Sequence, residues 1–287
     1  MPRHHHRRLL LAVLAAAFLL LALAPAALGN AITPESGGSP NANDIDDVYR
    51  IALYIAIVVF LVVEGTLIWS LVKFRARRGR EAAQIRGNLP LEATWTIAAA
   101  LILVVLTTLT FIYLNNIRDP EGTGPGGLAQ EQNEFASVDQ PQPPKGIGKP
   151  LNIKVNGQQY IWRFVYPGPQ PLFSYYQMVV PTNTTVTLDI TSSDVAHSWW
   201  IPKLGGKADA IPGHVNHTWF KIKKPGVYGG QCAELCGINH ADMRASVRAV
   251  PPAEFVAWER RQRADILASQ KAVAKQREQR LKSGQVD

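Results

Sequence analysis

Cysteine is almost absent from this chain of 287 residues, which carries only Cys232 and Cys236. At most one disulfide is therefore available. The pattern C-x-x-C-H occurs nowhere, so a covalently attached haem c is excluded. Acidic residues are the other scarcity: 22 Asp and Glu stand against 30 Lys and Arg, a formal net charge of +8. Between residues 145 and 250 the imbalance sharpens to eleven basic against five acidic side chains. Such an excess can mark a nucleic-acid binder, but part of it has a different origin here.

That origin lies among three apolar runs. The chain opens MPRHHHRR, then LLLAVLAAAFLLLALAPAALGN, ending in the small residues Ala27 and Gly29. A basic start, an apolar stretch and a small-residue end make an export signal, with a retained anchor as the alternative. Residues 51–72 (IALYIAIVVFLVVEGTLIWSLV) and 93–114 (ATWTIAAALILVVLTTLTFIYL) follow. Each is near the ~20 residues a helix needs to cross the hydrocarbon core. Lys73, Arg75, Arg77, Arg78, Arg80 and Arg86 crowd the link between them, against the single acid Glu81. Positive charge beside spans marks the cytoplasmic side. The basic loop is thus a topology signal, no nucleic acid is expected, and everything after residue 114 lies outside. Glu64, inside the first span, either meets a protein partner or lies close enough to one end to reach water.

Residues 115–150 are rich in Gly, Pro and Gln and read as a linker. From Leu151 onward, LNIKVNG, QYIWRFVYP, YQMVVPTNTTVTLDITSS, HTWFKIKKPGVYGG and RASVRAVPP are short runs of Val, Ile, Thr and aromatics. Turn residues break them at intervals, which predicts an all-β sandwich or barrel. The tail after residue 252 is helix-forming and almost wholly polar beyond Trp258, a solvated helix or a partner-binding one.

GVYGGQCAELCGINHADM, residues 226–243, holds both cysteines, His240 and Met243, while His197 stands upstream in SSDVAHSWW. Export favours a disulfide. A tetrahedral zinc site could use both thiols and both imidazoles, yet it has no need of the methionine. Two thiols, two imidazoles and a thioether are a soft set suited to copper. A blue-copper site takes one cysteine, two histidines and a weak methionine. Here one cysteine is left over, and two metals sharing both thiolates would use every ligand.

HSWWIP, KADAIPG and GVYGGQCAELCGINHADM together resemble subunit II of the haem–copper cytochrome c oxidases, in order and spacing. The resemblance implies a membrane-anchored α plus all-β chain: two transmembrane helices in a hairpin, a cupredoxin-like β-barrel and a C-terminal helical tail. On that plan residues 1–29 are the signal peptide and 30–47 an exported segment. Residues 48–117 form the hairpin, 118–150 the linker, 151–252 the copper-A domain and 253–287 the polar tail.

The resemblance further implies that Cys232 and Cys236 bridge two copper ions, with His197 and His240 binding one each. Met243 would complete one copper and the Glu234 carbonyl the other, while the Glu234 side chain would help hold magnesium against subunit I. Tyr160, where many members have tryptophan, would be the electron-entry residue. Trp162, Asp194 and Asp209 would support the site. Trp162 reads as barrel core, and His214 and His217 as surface or loop residues. His214 stands where arginine is common in the family.

Implied partners are subunit I, other oxidase subunits, membrane lipid, and cytochrome c or a tethered c-type donor. The expected location is the bacterial plasma membrane, with the copper domain outside. The excess of base predicts a neutral, acidic or tethered donor, unless the acids of residues 119–139 fold over the site. A quinol oxidase subunit would have lost the copper ligands. A membrane-tethered copper-binding or copper-delivery protein is the alternative from another class, and a metal-free, disulfide-stapled barrel the structural one.

Overall fold

The computed structural model describes residues 32–75, 79, 81, 83–123, 127 and 150–283. The leader, Arg77, Arg78 and Arg80 of the basic loop, and most of the linker, including Glu131, Glu134 and Asp139, lie outside the described residues.

Two long apolar helices come first, α1 (Pro40–Lys73) and α2 (Leu89–Arg118). Both are long and apolar enough to span a membrane, and they lie against each other. Asn88 starts α2 by accepting a hydrogen bond from the Leu91 N–H at 3.2 Å, while Glu92 reaches back to the Asn88 N–H at 3.0 Å. This reciprocal cap satisfies donors that an apolar helix start would otherwise leave bare. Helix α1 begins at Pro40, inside the segment expected to precede the hairpin. Glu64 lies nine positions before its last residue, Lys73, and at 1.5 Å per residue that is about 13 Å of helix.

The barrel holds ten strands: β1 (Leu151–Gln158), β2 (Ile161–Val165), β3 (Phe173–Tyr175), β4 (Gln177–Pro181), β5 (Thr185–Ser192), β6 (His197–Trp199), β7 (Ala208–Ala210), β8 (Asn216–Lys221), β9 (Gly226–Gln231) and β10 (Arg244–Val250). One sheet runs β3-β2-β1-β5-β8, a second β4-β10-β9, and β6 pairs with β7. Strand β1 shows why the sheets close on each other. Ile153, Val155 and Gly157 point inward and Lys154 and Gln158 outward, the two-residue period of a half-buried strand. Trp162, Phe164, Leu188, Ile190, Met178 and Val247 fill the space between the sheets.

The β8 edge is covered by the helix ends. Asn41 donates to the Trp219 carbonyl at 2.7 Å, and the Trp219 indole donates to the Ile117 carbonyl at 2.9 Å. Lys221 is held twice, its N–H by Ser39 Oγ at 3.0 Å and its ammonium by the Gly122 carbonyl at 2.7 Å. An exposed strand edge is thereby capped, and the barrel is fixed to the helices that carry it.

The tail is one helix, α3 (Pro252–Lys282). Phe255 and Trp258 pack on Tyr166, ring centroids 6.3 and 5.0 Å away, and Ile266 is buried as well. Gln262 and Arg263 donate to carbonyls of Phe173 and Gln170 at 3.0 and 2.8 Å. From Leu267 the described helix is exposed. Its first half therefore packs on the barrel core, and its second half is exposed on this chain.

Candidate metal centre

The ligand-bearing residues come from two loops brought together at one end of the barrel. Strand β6 carries His197, and the turn between β9 and β10 carries the rest. Backbone hydrogen bonds join the two: Ala233 N–H to the Ser198 carbonyl at 2.8 Å and Gln231 N–H to the Trp200 carbonyl at 3.1 Å. Within the turn, the Cys232 N–H reaches the Met243 carbonyl at 2.9 Å, and the Met243 N–H reaches that of His240 at 3.2 Å. Cys232, Cys236, Met243 and His197 are all buried.

Their donor atoms face one another. Cys232 Sγ lies 3.9 Å from Cys236 Sγ and 3.9 Å from His197 Nδ1. Cys236 Sγ lies 3.6 Å from His240 Nδ1 and 3.8 Å from Met243 Sδ. The Glu234 carbonyl accepts from the Cys232 thiol at 3.2 Å. Both cysteines are free, and the donor atoms of His197, Cys232 and Cys236 all lie within 4.8 Å of one another. Burial, then the neighbouring Cys232, pushes the Cys236 thiol up to about 11. A metal must therefore displace its proton to bind.

Asp194 decides how His197 presents itself. Its Oδ1 lies 2.9 Å from His197 Nε2, so that nitrogen carries the proton and Nδ1 is left to face the sulfur. Burial alone would raise the Asp194 carboxyl. Hydrogen bonds from the Gln159 N–H, His197, the Val195 N–H and Ser192 outweigh it and hold the group down at about 2. Gly157 makes room for the ring, since a Cβ there would sit 2.9 Å from His197 Cδ2. Trp162, opposite Gly157 on β2, meets the imidazole edge-on, its ring centroid 5.9 Å from that of His197.

Residues 172–250 match the family model described as cytochrome c oxidase subunit II, periplasmic domain, and residues 28–112 match that family's transmembrane domain. The chain belongs to the cytochrome c oxidase subunit II family. It is 32% identical over 241 residues to a probable cytochrome c oxidase subunit 2 of Rickettsia bellii, covering 77% of this chain and 80% of that one. It is 34% identical over 265 residues to cytochrome c oxidase subunit 2 of Thermostichus vulcanus, covering 82% and 80%. Among solved structures, the periplasmic domain of subunit II of cytochrome oxidase from Bradyrhizobium japonicum is 36% identical. That match covers 40% of this chain and 94% of the other, with a TM-score of 0.39.

As a cytochrome c oxidase subunit II, the chain is a membrane protein and part of an oxidoreductase complex, and its family implies copper. The donor set fits that metal, because buried thiols, a thioether and imidazoles converge and each histidine turns Nδ1 toward a sulfur. The remaining expected site residues lie around this cluster in different ways. Tyr160 is half-buried against the core, and Trp162 is fully buried. The Glu234 side chain is exposed. Asp209 acts through its backbone: it pairs opposite Ser198, and its carbonyl accepts from Asn216 at 2.6 Å. His217 instead pairs with Asp189 at 2.8 Å across β8 and β5, and His214 with Asn216 at 3.1 Å. Gly157 escaped the sequence reading because a lone glycine on a strand carries no chemical signature; its position next to Asn156, two residues before Gln159, becomes meaningful only once His197 lies over it.

Proposed function

We infer that this chain is the electron-entry subunit of a respiratory terminal oxidase. It takes electrons from cytochrome c, or from a tethered c-type donor, at a binuclear copper centre. It passes them to the haem–copper subunit I, where oxygen is reduced to water and protons are pumped. The reading rests on one observation above all, the convergence of two buried thiols, two imidazole Nδ1 atoms, a thioether and a carbonyl in one cluster. His197, Cys232, Cys236, His240, Met243 and the Glu234 carbonyl would hold the metals. Such a centre, when bound, supplies one-electron transfer with the charge change shared between two metals.

The protein's own part is to keep the donor atoms still. The loops are stapled to each other and to a stiff barrel, so little rearrangement accompanies a change of charge. Asp194 holds the proton on His197 Nε2 and so keeps Nδ1 available. Burial of both thiols excludes water and competing oxidants. Tyr160 is the proposed point of electron entry, and Trp162 packs behind His197. The exposed Glu234 carboxyl is free to help hold magnesium against subunit I. The basic loop after α1 supports a plasma-membrane orientation with the barrel on the extracytoplasmic side.

Copper quantitation and electron spin resonance on the complex purified with its native partners test this. Two coppers per chain sharing one unpaired electron, together with a co-purifying haem-bearing large subunit, are expected. One copper with a mononuclear spectrum would overturn it.

A further inference from the structure

Gln159 sits at the end of β1 on the turn into β2, exposed and outside both ligand loops. It nevertheless touches each of them. Its backbone N–H donates to Asp194 Oδ2 at 2.7 Å, the same carboxylate whose other oxygen holds His197. Its side-chain Nε2 donates to the Cys236 carbonyl at 2.7 Å. One residue thus bridges partners 35 and 77 positions away in the chain.

The ligand loop is shaped to receive it. Gly237 has φ +129°, a conformation side chains rarely adopt. A Cβ there would lie 2.9 Å from Gln159 Nε2 and 2.5 Å from the Tyr160 hydroxyl. Glycine at 237 therefore lets the β1–β2 turn press directly on the peptide that follows Cys236. An exposed glutamine would ordinarily point its amide at water. Here the amide is turned inward onto a backbone carbonyl, and the surface around it is built to allow that.

We propose that Gln159 is a positioning residue for the metal centre, bracing the Cys236 loop with its side chain and the Asp194–His197 pair with its backbone. The proposal rests on the two-copper reading above. Holding the Cys236 carbonyl fixes the orientation of that residue's peptide, and with it the direction in which the Cys236 thiol projects. Holding Asp194 fixes the imidazole opposite. The separation between the two loops is thereby set by a rigid turn of the barrel rather than by the metals alone.

The test uses the purified complex carrying Gln159→Met, similar in length with no donor, or Gln159→Glu, similar in shape with an acceptor in place of the donor. Both keep the backbone bond to Asp194 and remove the one to Cys236. The expected result is two retained coppers with an altered hyperfine pattern, and copper loss to a chelator about 10–100-fold faster than wild type. Amide exchange across residues 236–240 of the metal-free chain should also quicken.

If Gln159 serves only as a surface contact for the donor, electron entry slows while spectrum, copper release and exchange stay as in wild type; that result overturns the proposal. Should a variant not assemble, exchange on its membrane-extracted, metal-free chain still decides, and unchanged protection at 236–240 counts against the brace. A wild-type complex lacking the two-copper signal defeats the reading of the centre itself. A normal wild type beside unaltered variants defeats only the role of Gln159.

Discussion

Asp194 Oδ1 stands 2.9 Å from His197 Nε2, and this contact determines which imidazole nitrogen faces the sulfur of Cys232. Asp194→Ala should therefore leave the barrel folded while freeing the ring to adopt either tautomer. Removing an outer partner of this kind commonly costs about 10–100-fold in metal affinity. Chelator competition on the purified complex measures it, and wild-type copper retention in the variant would dismiss the role of the carboxylate.

The two thiols are expected to be irreplaceable as bridges. Cys232→Ser or Cys236→Ser should abolish the shared two-copper signal, because a hydroxyl is a poor bridge for a soft metal. Met243→Leu should be milder, shifting potential and affinity while the signal persists. Spin resonance on the three variants ranks them, and a surviving two-copper spectrum in either serine variant would falsify thiolate bridging.

Tyr160 separates electron entry from packing. With Tyr160→Ala, copper content and spectrum should be preserved while reduction by the donor slows, and Tyr160→Trp should keep most of the rate. A structural role forecasts the reverse order, since truncating a buried aromatic costs about 3–5 kcal/mol and would harm folding first. Tyr160 is only half-buried, so the loss of stability should fall short of that range. Stopped-flow reduction of correctly loaded protein decides, and an unchanged rate would send electron entry elsewhere.

Charge forecasts the donor. Eleven basic residues face five acids between residues 145 and 250, and Asp194, the acid nearest His197, is already engaged by it. A neutral, acidic or membrane-tethered donor should therefore be the efficient one, because opposite charge speeds encounter and salt screens it. Rapid reduction by a strongly basic soluble cytochrome, slowed steeply by salt, is the outcome that contradicts this.

The docked half of α3 carries a pH-dependent strain at Glu259. Burial raises its pKa, and Arg263, with Nη2 3.5 Å away, offsets only part of that. The folded chain therefore holds this proton more tightly than the unfolded chain. Ionisation then costs stability, an effect absent below the ordinary value of 4.5 and fully present above the folded pKa. Glu259→Gln should raise the thermal midpoint at neutral pH, with the gain vanishing as pH falls below 4.5. An equal gain at both pH values would show that ionisation is not the cause.

Much of this protein is decided by sequence alone, wherever the physics is local. A charge costs so much in hydrocarbon that two long apolar runs specify two spanning helices, and the basic link between them supports the orientation proposed for the hairpin. Alternation along β1 specifies a buried face. The C-x-x-x-C-x-x-x-H-x-x-M spacing places four of the donors on one short turn, so their kinship is visible before any fold is known. The sequence names His197 as a fifth donor, but only tertiary structure carries it across the 35 residues to Cys232, through the backbone bonds that join β6 to the ligand loop. It alone selects Nδ1 over Nε2, because that choice depends on where Asp194 is held rather than on its presence nearby. The tail divides the same way: its helical composition is plain, but Phe255, Trp258 and Ile266 find partners only when Tyr166 and the far end of the barrel come under them. Helical spacing can place Phe255, Trp258 and Ile266 on one face, but it cannot say which surface covers that face.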